Sequence, residues 1–240
     1  LLPLLPSASP SRADLGWGVA AGFSGGVGVA LLYRALAIGR MAVVAPTTAV
    51  CAVAIPVMVS VALGERPAPL AAFGILLGVG AIVLVSQQTA AETGPLDRAR
   101  AGRLPAGVGI ALVSGVAIGL FFLSLAQTRP EAGMWPILAS RATSVTIFGA
   151  AAVGARRSLR MPGSLGLTLL CGVVDMAANA LYLVAARAGP LSVVVTLSSL
   201  YPASTVLLAR AVLGERLNGR QVAGVACALA AIALIVSGRP

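Results

Sequence analysis

Eight apolar stretches, each close to the length of a bilayer-crossing helix, follow one another along the chain at roughly 15–38, 41–63, 68–86, 105–127, 133–154, 164–186, 190–212 and 220–238. The hydrocarbon core of a membrane asks for about 20 apolar residues per helix, and no water-soluble domain hides so many such segments. Of the 240 residues, 58% are hydrophobic and 10% charged, with a mean hydropathy of +0.98. Those values exclude an ordinary soluble domain and a disordered chain alike. The predicted fold is therefore all-α, a polytopic membrane helix bundle. Most gaps between stretches are under about ten residues, so successive helices are expected to pack as neighbours.

All 17 positive residues are arginine, against 7 acids, and the net charge is +10. Such an excess raises the question of nucleic acid, but most arginines fall in the gaps: Arg40, Arg66, Arg98, Arg100, Arg103, Arg129, Arg156, Arg157, Arg160, Arg216 and Arg220. Membrane loops use basic residues in this way to set orientation, so no nucleic-acid partner is expected. The chain has no histidine, which removes His-based metal sites, Ser-His-Asp triads and His proton relays. Cys51, Cys171 and Cys227 each lie inside an apolar run without CxxC spacing. They read as small core residues, and no metal, cofactor or enzymatic site is expected.

A shift of 150 positions lays Leu63-Gly64-Glu65-Arg66 on Leu213-Gly214-Glu215-Arg216 without a gap on either side. Ala35, Gly39, Val43, Val44, Gly74, Ala81, Ile82 and Leu84 then fall on Ala185, Gly189, Val193, Val194, Gly224, Ala231, Ile232 and Leu234. The chain thus reads as two copies of one unit: residues 1–90 a partial first copy of three helices, 91–104 a basic linker, and 105–240 a complete second copy of five. An odd number of spans per copy makes consecutive copies enter the membrane from opposite sides, the inverted-repeat arrangement of transporters. The same shift places the counterparts of the second copy's first two helices before residue 1, the tail of the second falling on Leu1 to Leu4. The first repeat is therefore expected to lack its first two helices, with a missing upstream segment favoured over genuine loss.

Residues 33–86 and 182–238, each carrying the Leu-Gly-Glu-Arg turn followed by Gly74 or Gly224, both resemble the second half of an EamA repeat, the unit of the drug/metabolite transporter superfamily. The resemblance covers essentially the whole chain. It implies a ten-helix secondary transporter or exporter of small metabolites in which both halves enclose a central cavity; the eight stretches here depart from that number. It also implies a small-molecule substrate and a lipid bilayer as partners. The all-arginine, Ala- and Gly-rich composition points to a GC-rich bacterial genome and so to a bacterial cytoplasmic membrane; proton coupling and a homo-oligomer are open expectations.

An ionisable side chain inside hydrocarbon costs a few kcal/mol or more, which makes each one within a span a functional candidate. Six of the seven acids lie in loops or at helix ends, and Asp175 alone sits mid-helix. Asn179 and Tyr182, at i+4 and i+7, share its face. Arg141 is the matching basic outlier, and counting about 1.5 Å per residue puts it within roughly 5 Å of the depth of Asp175. Two readings stand: a structural ion pair with Asn179 satisfying a carbonyl, or a substrate or proton site. Arg34 and Gln127 are weaker candidates near span ends. A second polar group, Pro46-Thr47-Thr48 and Ser198-Ser199 with Tyr201-Pro202, lies in corresponding spans and combines a proline kink with local repair or cavity lining; Tyr201 is its candidate ligand contact. The substrate-binding set is thus Asp175, Arg141, Asn179, Tyr182 and Tyr201. Small residues four apart, at Gly18, Gly22, Gly26 and Ala30, at Gly74 and Gly78, and at Ala111, Gly115 and Gly119, predict close helix packing. Glu65 and Glu215 are read as turn locks that pair with Arg66 or Arg216 and offset the dipole of the helix that follows. The runner-up function is a shortened, non-transporting membrane protein acting as a helix-packing partner or regulator.

Overall fold

In hydrocarbon every backbone N–H and C=O must find a partner within its own segment, and long apolar runs therefore become helices. The computed structural model describes residues 10–39, 41–86, 107–156, 165–200, 211 and 219–237. These contain eight α-helices: α1 (Arg12–Ile38), α2 (Met41–Ala62), α3 (Pro69–Ser86), α4 (Val108–Ala126), α5 (Trp135–Gly154), α6 (Leu165–Ala188), α7 (Leu191–Ser198) and α8 (Gly219–Ser237). A 3-10 turn at Pro130–Ala132 precedes α5. All but the described part of α7 agree with the predicted stretches to within a few residues. Of the 190–212 stretch, residues 201–210 and 212 lie outside the described residues, Tyr201 and Pro202 among them, as does Glu215. By length and composition α1, α4, α5 and α6 can each cross a membrane. The protein is an all-α, multi-pass membrane protein.

The helix boundaries keep the 150-residue offset read from the sequence: α1 ends at Ile38 and α6 at Ala188, α2 starts at Met41 and α7 at Leu191, α3 starts at Pro69 and α8 at Gly219. This is compatible with a duplicated unit. The contacts, however, divide the chain into two compact units, one of residues 1–27 and 120–189 and the other of 28–119 and 190–240, so that each draws on both sequence copies.

In the first unit, the α1 glycines form the packing surface. A Cβ on Gly22 would lie 2.3 Å from the Ser140 carbonyl oxygen and 2.8 Å from Thr143 Cβ, and one on Gly18 would lie 2.5 Å from the Pro136 carbonyl oxygen. Only glycine lets α1 and α5 approach this closely, which matters in lipid because packing rather than the hydrophobic effect holds helices together. Leu125, Ile137 and Leu183 are fully buried in this unit.

In the second unit, α3 packs on α8 and α7, and α2 on α3 and α7. Ala49, Val53, Ala81, Ile82, Leu200 and Ala228 form its core. Hydroxyls stitch neighbouring helices together: Thr48 Oγ1 donates to the Ala111 carbonyl at 3.2 Å, and Ser114 Oγ to the Gly28 carbonyl at 2.7 Å. For Thr48, beside Pro46, the sequence left local repair of its own helix and cavity lining both open. It bonds α4 instead, since Gly115 brings that helix within 2.7 Å of the Thr48 carbonyl oxygen, as measured from an added Cβ. The Leu-Gly-Glu-Arg turn ends α2 in a Schellman cap: Gly64 adopts φ 97°, and the Glu65 N–H reaches back to the Ser60 carbonyl at 2.9 Å. That positive φ is open to glycine at little cost.

Candidate functional site

The site lies within the first unit, on α5 and α6. Arg141 is at the seventh position of α5 and Asp175 at the eleventh of α6, so each projects from the apolar body of its helix. Arg141 Nη2 donates to Asp175 Oδ2, an ion pair joining the two helices. The pair is not sealed off: the Asp175 side chain is 56% exposed and that of Arg141 34%. One turn on, Asn179 Nδ2 donates to the Asp175 carbonyl at 2.7 Å and approaches Asp175 Oδ1 at 3.4 Å. This holds the second carboxylate oxygen while the first faces Arg141. Cys171, four residues before Asp175, is a free and exposed thiol. It was expected to be a core residue, but every α6 residue from Leu165 to Asp175 is exposed.

Tyr182 shares the face of Asp175, about 10 Å further along the helix, and is buried at 6% exposure. Its hydroxyl donates to the Phe122 carbonyl at 3.0 Å, and its ring lies 4.8 Å from that of Phe122, which meets Phe121 edge-on at 5.4 Å. The polar stripe therefore changes character along α6, from an accessible charged end to a packed aromatic end. Thr143, Ser144 and Thr146 on α5 return their hydroxyl protons to their own helix, on Ala139, Arg141 and Ala142 carbonyls. Of the five residues predicted for substrate binding, Arg141, Asp175 and Asn179 are in contact, Tyr182 is set apart, and Tyr201 lies outside the described residues. Arg34 and Gln127 are exposed.

Two further polar clusters escaped the sequence reading. At the start of α1, Ser11 and Asp14 form a capping box: the Asp14 N–H donates to Ser11 Oγ at 3.2 Å, and the Ser11 N–H to Asp14 Oδ2 at 2.9 Å. The Ser-x-x-acid spacing could have announced it. What spacing could not announce is that the same carboxylate, 1% exposed, also receives the Arg129 backbone N–H at 3.0 Å and its guanidinium at 3.2 and 3.0 Å. The hydrogen bond to Asp14 in turn raises the Arg129 pKa above the ordinary arginine value. Beside them Arg187 donates to the Gly133 carbonyl at 2.9 Å and Thr128 Oγ1 at 3.2 Å.

The other cluster is in the second unit and corrects the expectation for Glu65. Rather than pairing with Arg66 or capping α3, Glu65 accepts the Ser192 N–H at 3.3 and 3.4 Å and the Ser192 hydroxyl. It caps the N-terminus of α7, where the free N–H groups and the positive end of the helix dipole favour a carboxylate. The Schellman turn aims it there.

Among the described residues, no group of three or more Cys, Asp or Glu side chains could hold a metal ion. No curated protein matches the chain at a significant level. A solved structure described only as "Crystal structure of protein" superimposes with a TM-score of 0.59 over 98% of this chain and 92% of its own, at 16% identity, and so shares the fold. Residues 105–237, running from the start of α4 to the end of α8 and containing the whole Arg141–Asp175–Asn179 constellation, match the EamA-like transporter family. With more than half of its length matched, on helices long and apolar enough to cross a membrane, the chain belongs to the EamA-like transporter family.

Proposed function

We propose that the protein is a secondary transporter or exporter that moves a small organic metabolite by alternating access between inverted repeats, in the cytoplasmic membrane of a bacterium. The Arg141–Asp175 pair carries this reading. Two charges on the mid-portions of membrane-crossing helices are costly wherever hydrocarbon reaches them, and such residues ordinarily face a solute pathway. Asn179 orients the carboxylate, and the exposed edges of Arg141 and Asp175 recognise polar groups of the solute.

The test is solute exchange by the purified chain in proteoliposomes, screened over metabolite pools. Asp175→Asn and Arg141→Gln are each expected to lower exchange by about tenfold or more while the protein stays folded. A charge swap, Arg141→Asp with Asp175→Arg, separates binding from scaffolding, because it restores an ion pair but inverts the surface offered to the solute. Wild-type exchange by Asp175→Asn, or full rescue by the swap, would overturn the assignment.

A further inference from the structure

Of the 24 residues of α6, only Tyr182 and Leu183 are buried. From Leu165 to Leu181, the stretch that carries Asp175, every residue is exposed or half-buried. Close packing is what fixes the direction of a helix in lipid, and this stretch has little of it. Asp175 is nevertheless aimed at Arg141, with Asn179 behind it. What aims it lies further along the helix.

Two anchors hold the other end of α6, and all the residues involved belong to the first unit. Tyr182 donates its hydroxyl to the Phe122 carbonyl of α4 at 3.0 Å and lays its ring 4.8 Å from that of Phe122. Five residues on, Arg187 donates to the Gly133 carbonyl at 2.9 Å and to Thr128 Oγ1 at 3.2 Å, both in the connection between α4 and α5. At about 100° per residue the two anchors leave the helix roughly 140° apart, so together they fix its rotation and its tilt. Asp175 stands seven residues before Tyr182, within about 20° of it around the helix and about 10 Å along it. A side-chain tip lies roughly 5 Å from the helix axis, so a rotation of about 20° carries the carboxylate about 1.7 Å. A tilt of about 10° acting over the 10 Å arm does the same. Either displacement is enough to lose a hydrogen bond. Ring contacts tolerate sliding, whereas the Tyr182 hydroxyl bond is directional.

We propose that Tyr182 is a positioning residue for the Arg141–Asp175–Asn179 site: its hydroxyl, anchored on Phe122, sets the height and direction of Asp175, with Arg187 as the second point of support. At 6% exposure Tyr182 acts through Asp175 and not by touching solute. Its effect on exchange rests on the transporter reading above, and its effect on the ion pair rests on geometry alone.

Tyr182→Phe, which keeps the ring and removes only the hydroxyl anchor, tests it in the full chain. Thr146→Val is the control, since the Thr146 hydroxyl bonds its own helix at the Ala142 carbonyl. In a cysteine-free background, nitroxide labels at Val145 on α5 and Leu170 on α6, both exposed, report the spread of distances across the pair by pulsed electron resonance. The wild type and Thr146→Val are expected to give the same narrow distribution, and Tyr182→Phe a broader one. In proteoliposomes Tyr182→Phe should raise the half-saturating solute concentration about tenfold and leave the maximal rate within about twofold. Added to Asp175→Asn it should cost less than about twofold more, because the carboxylate it aims is gone. An unchanged distribution in Tyr182→Phe, or a full further tenfold loss on top of Asp175→Asn, overturns the assignment. Slowed exchange at unaltered distances overturns it too, by making Tyr182 a solute contact. Broadened distances in Tyr182→Phe when the wild type exchanges no solute would uphold the positioning role and sink the transporter reading instead.

Discussion

Replacing Asp14 by alanine removes one buried carboxylate that ties the start of α1 to the turn at Arg129. The capping box contributes about 1 kcal/mol to α1. The Arg129 backbone N–H loses its acceptor, for about another 1 kcal/mol. The Arg129 side chain is 56% exposed, so water screens its guanidinium contact. Asp14→Ala should therefore destabilise the protein by about 2 kcal/mol, read from reversible unfolding in mixed detergent–SDS micelles. Arg129→Ala keeps the cap and the backbone bond, so it should destabilise the protein less than Asp14→Ala does. Once Asp14 is absent the guanidinium has little left to hold, so the double variant should cost no more than Asp14→Ala alone. A loss under about 1 kcal/mol for Asp14→Ala, or additive costs in the double variant, would refute the description of Asp14 as a shared clasp.

The cap on α7 can be dissected likewise. Glu65→Ala should cost about 1–2 kcal/mol in the same unfolding assay, and Ser192→Ala less, because the carboxylate still meets the backbone N–H after the hydroxyl is gone. Gly22→Ala should lose about 2 kcal/mol or more by forcing α1 off the Ser140 carbonyl, while Gly16→Ala, with nothing within 4 Å of its Cβ, should be neutral within about 0.5 kcal/mol. A membrane-impermeant thiol reagent should modify Cys171 in intact proteoliposomes, and transported solute should slow the reaction; Cys171 inert to impermeant reagents yet reactive to lipid-soluble ones would place that stretch of α6 against lipid.

The fold class and helix limits were legible because both are local. A run of apolar residues long enough to cross a bilayer forms a helix wherever it sits, and the charged gaps mark its ends. The same logic singled out Asp175 and Arg141, since an ionisable residue inside an apolar run is conspicuous without any structure. Even their pairing was readable from depth along adjacent helices. Gly18, Gly22 and Gly115 were readable as packing surfaces from their spacing of four.

The partners of other polar groups were not. Glu65 was read against its neighbour Arg66, yet it caps a helix 127 positions away. Asp14 was read as a helix-end acid, yet it clasps Arg129 at a separation of 115. Thr48 was read as repairing a proline kink or lining a cavity, yet its hydroxyl crosses to α4. Tyr182 falls on the face of Asp175 by periodicity, and only the approach of Phe122 makes it a buried brace. Hydropathy and period belong to a segment and its immediate neighbours, so the sequence by itself determined that this is a bundle of membrane helices with an ionisable residue within the apolar run of two of them. Which helix lies beside which is decided by the packing of whole surfaces, and only the tertiary structure settled which donor meets which acceptor, since those bonds join groups that no sequence window contains together.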